Sequence, residues 1–197
     1  MRERNAVKHF KKNEELEKHI HDMLDKSGHI NGQERFPVKH MRFGYTRAGF
    51  ASCEVIAVYN VIKDLGRYVP LSDLIYHNEK QGYMLAGGLL GTKIHKIGNL
   101  LEILGISYQK IKVRNFLESA ERGTISDGSM YIVTIRTNRN LPVAHLHTFE
   151  LVRRANNWCV YNRFNESLGA SYYSCLDDIL KNGNQMGAWY AVYQILT

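Results

Sequence analysis

The stretch GFASCEVIAVYN, residues 49–60, joins a run of small, irregular residues to a long apolar segment, and a cysteine stands at the junction. Val55, Val58, Tyr59 and Ile62 recur at helical spacing and make one apolar face, and Gly66 is a suitable terminator. The spacing predicts a helix over 53–65 that opens on Cys53. A helix with one apolar face must bury it against another layer, so the neighbouring segments decide the fold class.

Upstream, residues 9–26 carry Phe10, Leu16, Ile20, Met23 and Leu24 at roughly helical spacing, and SGHINGQERFP (27–37) breaks that helix with two glycines and a proline. Residues 1–40 are therefore expected as an N-terminal helical extension, an appendage or lid on a main domain of residues 41–197. Downstream, PLSDLIYHNEKQG (70–82) predicts a helix capped by Ser72. YMLAGGLLGT (83–92) reads as a glycine-rich loop, and KIHKIGNLLEILG (93–105) as a further helix ending at Gly105. After Gly105 the period changes from 3.6 to 2. ISYQKIKV (106–113), SMYIVTIRT (129–137), HLHTFELVRR (145–154), WCVYNRF (158–164) and AWYAVYQIL (188–196) read as strands. RNFLESAERG (114–123) and LDDILKNG (176–183) interrupt them as short helices. Helices first and an antiparallel sheet afterwards make an α+β domain, with N-terminal helices packed on one side of a C-terminal antiparallel sheet.

Composition fits that reading. The chain has 197 residues with 44% hydrophobic, 11% aromatic and 23% charged, ordinary for one globular domain with a core and a cleft. The formal charge of +7 is spread: residues 1–40 hold nine Lys or Arg against seven Asp or Glu. No stripe of arginines alternating with aromatics and no phosphate cradle occurs, so no nucleic-acid partner is expected. No apolar segment is long enough for a membrane span. Cys53, Cys159 and Cys175 are too far apart for a disulfide framework or a metal knuckle, which suits a reducing, cytoplasmic setting. HIH at 19–21 lacks a third spaced ligand, and no metal or cofactor is expected.

Cys53 has two readings. A free cysteine is commonly core filler. At a helix N-terminus, however, unpaired amides favour a thiolate and can receive an oxyanion. A nucleophile needs a base and an orienter. Of nine histidines, His9, His19, His21 and His29 lie in the polar N-terminal region, His40 precedes the main domain, and His77 and His95 fall on helices. His145 and His147 share one face of a predicted strand. Asn162 lies on the next strand. A hairpin centred on 156–157 would place position 151 opposite Asn162 and leave His147 four residues out of register, so contact requires a shifted turn. Asn60 shares the helical face of Cys53 and reads as a structural polar group; Cys159 and Cys175 read as packed or semi-exposed thiols.

CEVIAVYNVIKDLG, GGLLGTKIHKIGNLLEILG and LHTFELVRRANNWCVYN resemble segments of bacterial papain-like cysteine peptidases, nearest to the peptidase domains that cleave double-glycine leader peptides. The resemblance covers roughly residues 44–165. It implies a papain-like fold and a triad of Cys53, His147 and Asn162 acting on a peptide or small amide substrate. The implied activity is a thiol hydrolase, with a thiol acyltransferase as a close variant and a non-catalytic peptide- or partner-binding domain as the alternative. Papain-like enzymes carry an oxyanion glutamine shortly before the cysteine. FGYTRAGFAS (43–52) has none, leaving Arg47 and Ser52 as candidate oxyanion or substrate contacts.

Overall fold

The computed structural model describes residues 2–140 and 146–197. The N-terminal half contains α1 (Arg2–Glu17), a hairpin of β1 (Arg42–Phe43) and β2 (Thr46–Arg47), α2 (Ala48–Ala51), α3 (Cys53–Asp64), α4 (Leu71–Lys80) and α5 (Ile97–Ile103). Every residue of α3 from Cys53 to Ile62 is buried, so it is a central helix rather than an amphipathic one with a single apolar face. α4 begins after Pro70, one residue before the expected cap at Ser72. Its first amides, of Leu71 and Ser72, donate to the Glu17 carboxylate at 2.5 and 2.9 Å, so α1 supplies the acceptors that a helix start requires.

The second half contributes β3 (Tyr108–Ile111), α6 (Val113–Glu121), β4 (Met130–Arg136), β5 (Leu146–Arg154), β6 (Asn157–Tyr161), β7 (Ser171–Tyr173), α7 (Leu176–Leu180), the small hairpin β8 (Lys181–Asn182) and β9 (Gln185–Met186), and β10 (Ala188–Ile195). Six of these strands form one antiparallel sheet in the order β3-β10-β4-β5-β6-β7. The arrangement is α+β, with N-terminal helices and a C-terminal antiparallel sheet. Ile132, Val152, Cys159 and Tyr193 of one sheet face pack with α3 and its neighbours. Coverage of one side only is not what forms. α6 and α7 close the opposite face with Phe116, Leu176 and Ile179 against Val133, Phe149, Leu151 and Val160. The reason is visible in β4, where Met130 to Ile135 are all buried, so both sets of alternate residues need cover.

Residues 1–40 are built into this core rather than held apart from it. Ile20, Met23, Ile30 and Val38 join the same apolar cluster as α3. Polar contacts fix them: Asn60 exchanges two hydrogen bonds with the Ile30 backbone at 2.8 and 3.0 Å, and Asn13 exchanges two with that of Arg42 at 2.7 and 2.9 Å. Among the described residues, no helix is long and apolar enough to cross a membrane.

Candidate active site

A cleft of about 1100 Å³ opens where α2 meets α3, facing the start of β5. Phe50, Cys53 and Glu54 come from the helix junction, Leu85, Leu89, Leu90 and Thr92 from the glycine-rich loop, and Leu146 and His147 from β5. That loop approaches closely because Gly91 adopts a left-handed backbone (φ +74°), and a Cβ there would lie 3.1 Å from Glu54 Oε1. Thr92 N–H donates to Glu54 Oε2 at 3.3 Å.

Cys53 opens α3 and is 6% exposed. The backbone amides of Thr148 and Glu54 lie where they favour its thiolate, while the Glu54 carboxylate favours the thiol. The expected lowering of its pKa does not follow. Burial, and then the Glu54 charge, push the thiol well above its usual range, and the two amides offset this only in part. Glu54, 4% exposed, is itself pushed up from 4.5 to about 7, mainly by burial. An acidic residue in a helix's first turn reads as a surface partner of the helix dipole; only its burial between α3 and the loop gives it this second character.

His147 lies in β5 and is 8% exposed. Nε2 donates to the main-chain carbonyl of Asn162 at 2.7 Å, which places the neutral ring's hydrogen on Nε2 and leaves the lone pair on Nδ1. Burial lowers its pKa from 6.5 to about 4, assisted by the Arg163 charge and opposed by hydrogen bonds to the main chain. Arg154 pairs with Asn157 across a two-residue turn at 155–156, not at 156–157, and this brings His147 two positions nearer to Asn162 than the sequence suggested. Asn162 then leaves the strand in a left-handed conformation (φ 59°) that aims its carbonyl at the ring. Its side chain is engaged elsewhere, with Gln33: Nδ2 donates to Gln33 Oε1 at 3.0 Å, and Oδ1 accepts from Gln33 N–H at 3.2 Å.

Cys53 and His147 line one cleft and the Asn162 main chain bonds to His147 from behind it, but among the described residues no hydrogen bond joins the Cys53 thiol to the His147 imidazole and no Cys-His-Asn triad geometry is formed. Arg47 is exposed on β2 and lines no part of the cleft, and the Ser52 hydroxyl donates to Ala48 O at 2.7 Å, so neither faces a substrate. His145 lies outside the described residues. Gln33 does line the cleft, with Nε2 donating to Gly49 O at 2.9 Å. It is the sole glutamine before Cys53 in the sequence, a signal hidden by its distance along the chain. No protein-family model matches this chain, and a search of curated proteins finds no significant match.

Proposed function

We propose that the chain is a papain-like thiol hydrolase in which Cys53 attacks a peptide or amide carbonyl carbon. The observation that carries this reading is the shared cleft: Cys53 and His147 both line it, and the Asn162 carbonyl sets the His147 tautomer. The reading requires the Cys53 side chain to rotate away from Glu54 and bring its sulfur to His147 Nδ1. In the reaction the thiol proton passes to Nδ1 as sulfur bonds to carbon. The imidazolium then protonates the leaving amine, and water, deprotonated by the same nitrogen, releases the acid from the thioester and restores the thiol. The Glu54 amide, and the second Nε2 hydrogen of Gln33, are the donors nearest to hand for the oxyanion. Leu85, Leu89 and Leu90, each substantially exposed on the cleft side, fit a substrate with bulky apolar side chains.

The test is a peptide electrophile applied to a Cys175→Ser background, because Cys175 is the exposed cysteine and would otherwise be labelled without regard to mechanism. Adduct formation at Cys53 should slow by about 100-fold or more in His147→Ala. Equal labelling rates with and without His147 would overturn the reading. A binding domain without turnover is the second reading, and the upward-pushed thiol favours it. It predicts that Cys53→Ala binds apolar peptides as well as the parent and that the parent forms no acyl-enzyme.

A further inference from the structure

At the far end of α3 from Cys53, three side chains from three separate segments converge in the interior. His29 Nε2 lies 3.2 Å from Asp64 Oδ1 and 4.0 Å from Glu150 Oε2, and one ligand atom of each residue falls within 4.8 Å of the others. Glu150 is fully buried, and among the described residues neither of its carboxylate oxygens has a hydrogen-bond partner. His29 is 2% exposed, and among the described residues its ring nitrogens have carboxylates nearby but no aligned hydrogen-bond partner. A buried carboxylate and imidazole left in this way would cost several kcal/mol without a compensating ligand.

We propose that His29, Asp64 and Glu150 bind a divalent transition-metal ion of the Zn²⁺ type. One nitrogen and two carboxylate oxygens are a donor set that such ions accept, and ligand atoms around a tetrahedral Zn²⁺ stand roughly 3.3 Å apart, so the observed spacing needs only a small inward movement. The ring is already oriented for this. Tyr161 stacks on its face at 3.9 Å and 9°, turning the edge that bears Nε2 towards the carboxylates. The opposite nitrogen, Nδ1, lies 3.7 Å from Asp25 Oδ1, and Asp25 is itself fixed by the amides of Ser27 and His29 and by Asn31 Nδ2. A carboxylate behind a ligating histidine is the usual outer partner that sets its tautomer.

Charge favours the same conclusion. Asp25, Asp64 and Glu150 face one another, and among the described residues the fixed cation paired with them is Arg154, donating to both Asp64 oxygens at 3.2 and 3.1 Å from the solvent side. A carboxylate has about four acceptor sites, so this pairing leaves Asp64 able to ligate. A dication would neutralise the two inner carboxylates. Asp64 lies eleven positions along the helix from Cys53, about 16 Å at the rise of an α-helix, so the ion would clip the 25–33 segment to α3 and β5 rather than take part in thiol chemistry.

The experiment is to strip the full chain with a chelator and titrate it with Zn²⁺ by calorimetry and with Co²⁺ by absorption. Expected are one ion per chain, a raised unfolding temperature, and visible Co²⁺ bands with no sulfur-to-metal charge-transfer band. Glu150→Gln, close to isosteric, should weaken binding by more than about 100-fold, and Asp25→Asn by about 10-fold. Circular dichroism of each metal-free variant checks its fold, with Asp64→Asn as the alternative if Glu150→Gln unfolds. Absence of stoichiometric binding, unchanged affinity in a folded Glu150→Gln or Asp64→Asn, a thiolate charge-transfer band, or loss of binding in His19→Ala/His21→Ala would each overturn the proposal.

Discussion

Replacing Glu54 by Gln tests the electrostatics of the cleft directly. Burial raises this carboxyl from 4.5 to about 7 in the folded chain. The fold therefore prefers the protonated form: its contribution to stability is fully present below pH 4.5 and is lost as pH rises through 7. At 1.36 kcal/mol per pH unit, the gap corresponds to roughly 3 kcal/mol. His147 acts in the opposite sense. Its depressed pKa, about 4 against 6.5, gives stability that is present above 6.5 and is lost as pH falls through 4. Between pH 4.5 and 6.5 the two slopes cancel in the parent. Gln is neutral at every pH and its carbonyl still accepts from Thr92, so the variant removes one slope and exposes the other. Urea unfolding, followed by intrinsic fluorescence at several values from pH 4.5 to 8, gives the stability difference between variant and parent. This difference should grow by roughly 3 kcal/mol across the range in favour of the variant. Groups remote from the cleft cancel in the subtraction. A difference that stays constant with pH would refute the assignment of Glu54 as a buried, proton-holding group.

Thiol reactivity should follow the same groups. Alkylation of Cys53 in a Cys175→Ser background should flatten above pH 7 in the parent, as Glu54 ionises beside the sulfur, and should continue to rise in Glu54→Gln; parallel profiles would count against the coupling. Gly91→Ala forces a Cβ into a left-handed backbone 3.1 Å from Glu54 Oε1 and should cost about 1–3 kcal/mol in a thermal or urea melt. Phe149→Ala empties a fully buried position whose ring centroid lies 5.9 Å from that of His147, and a loss of about 3–5 kcal/mol is expected from denaturation. Asn162→Gly and Asn162→Ala both delete the Gln33 hydrogen bonds, but glycine keeps the left-handed backbone. NMR of the imidazole should therefore find the Nε2-protonated tautomer retained in the glycine variant and weakened in the alanine variant.

The elements that apolar periodicity can report were legible. The helix opening on Cys53, the change of period at Gly105 and five of the six strands of the large sheet follow from spacing that packing then enforces. What escaped has physical causes. α1 is docked by Glu17, Asn13 and His9, which bonds Glu79 at 3.0 Å, and a helix anchored by polar contacts carries only a thin apolar stripe. The two-sided cover of the sheet was written in the unbroken run MYIVTIR, where a strand exposed on one face would alternate. Of the residues that line the cleft, Cys53, His147 and the glycine-rich loop at 83–92 were singled out in the sequence, whereas Glu54 and Gln33 were not, because their positions depend on which segments are folded over one another.

Asn162 explains why these parts belong together. β6 pairs with β5 only as far as Tyr161 opposite Glu150. The left-handed turn at Asn162 ends the pairing, and the β5 residues before Glu150, His147 among them, run on to the cleft. The same turn directs the Asn162 carbonyl at His147. A non-glycine residue held there costs of order 1–3 kcal/mol, and the chain offsets it by satisfying the residue fully. Its amide donates to Asn31 Oδ1 at 2.9 Å, its carbonyl accepts from His147, and its side chain exchanges two hydrogen bonds with Gln33. Three of those four bonds come from residues 31–33, the segment that sequence alone assigned to an extension. The N-terminal segment is therefore tied to the cleft: it holds the residue whose carbonyl fixes the tautomer of His147.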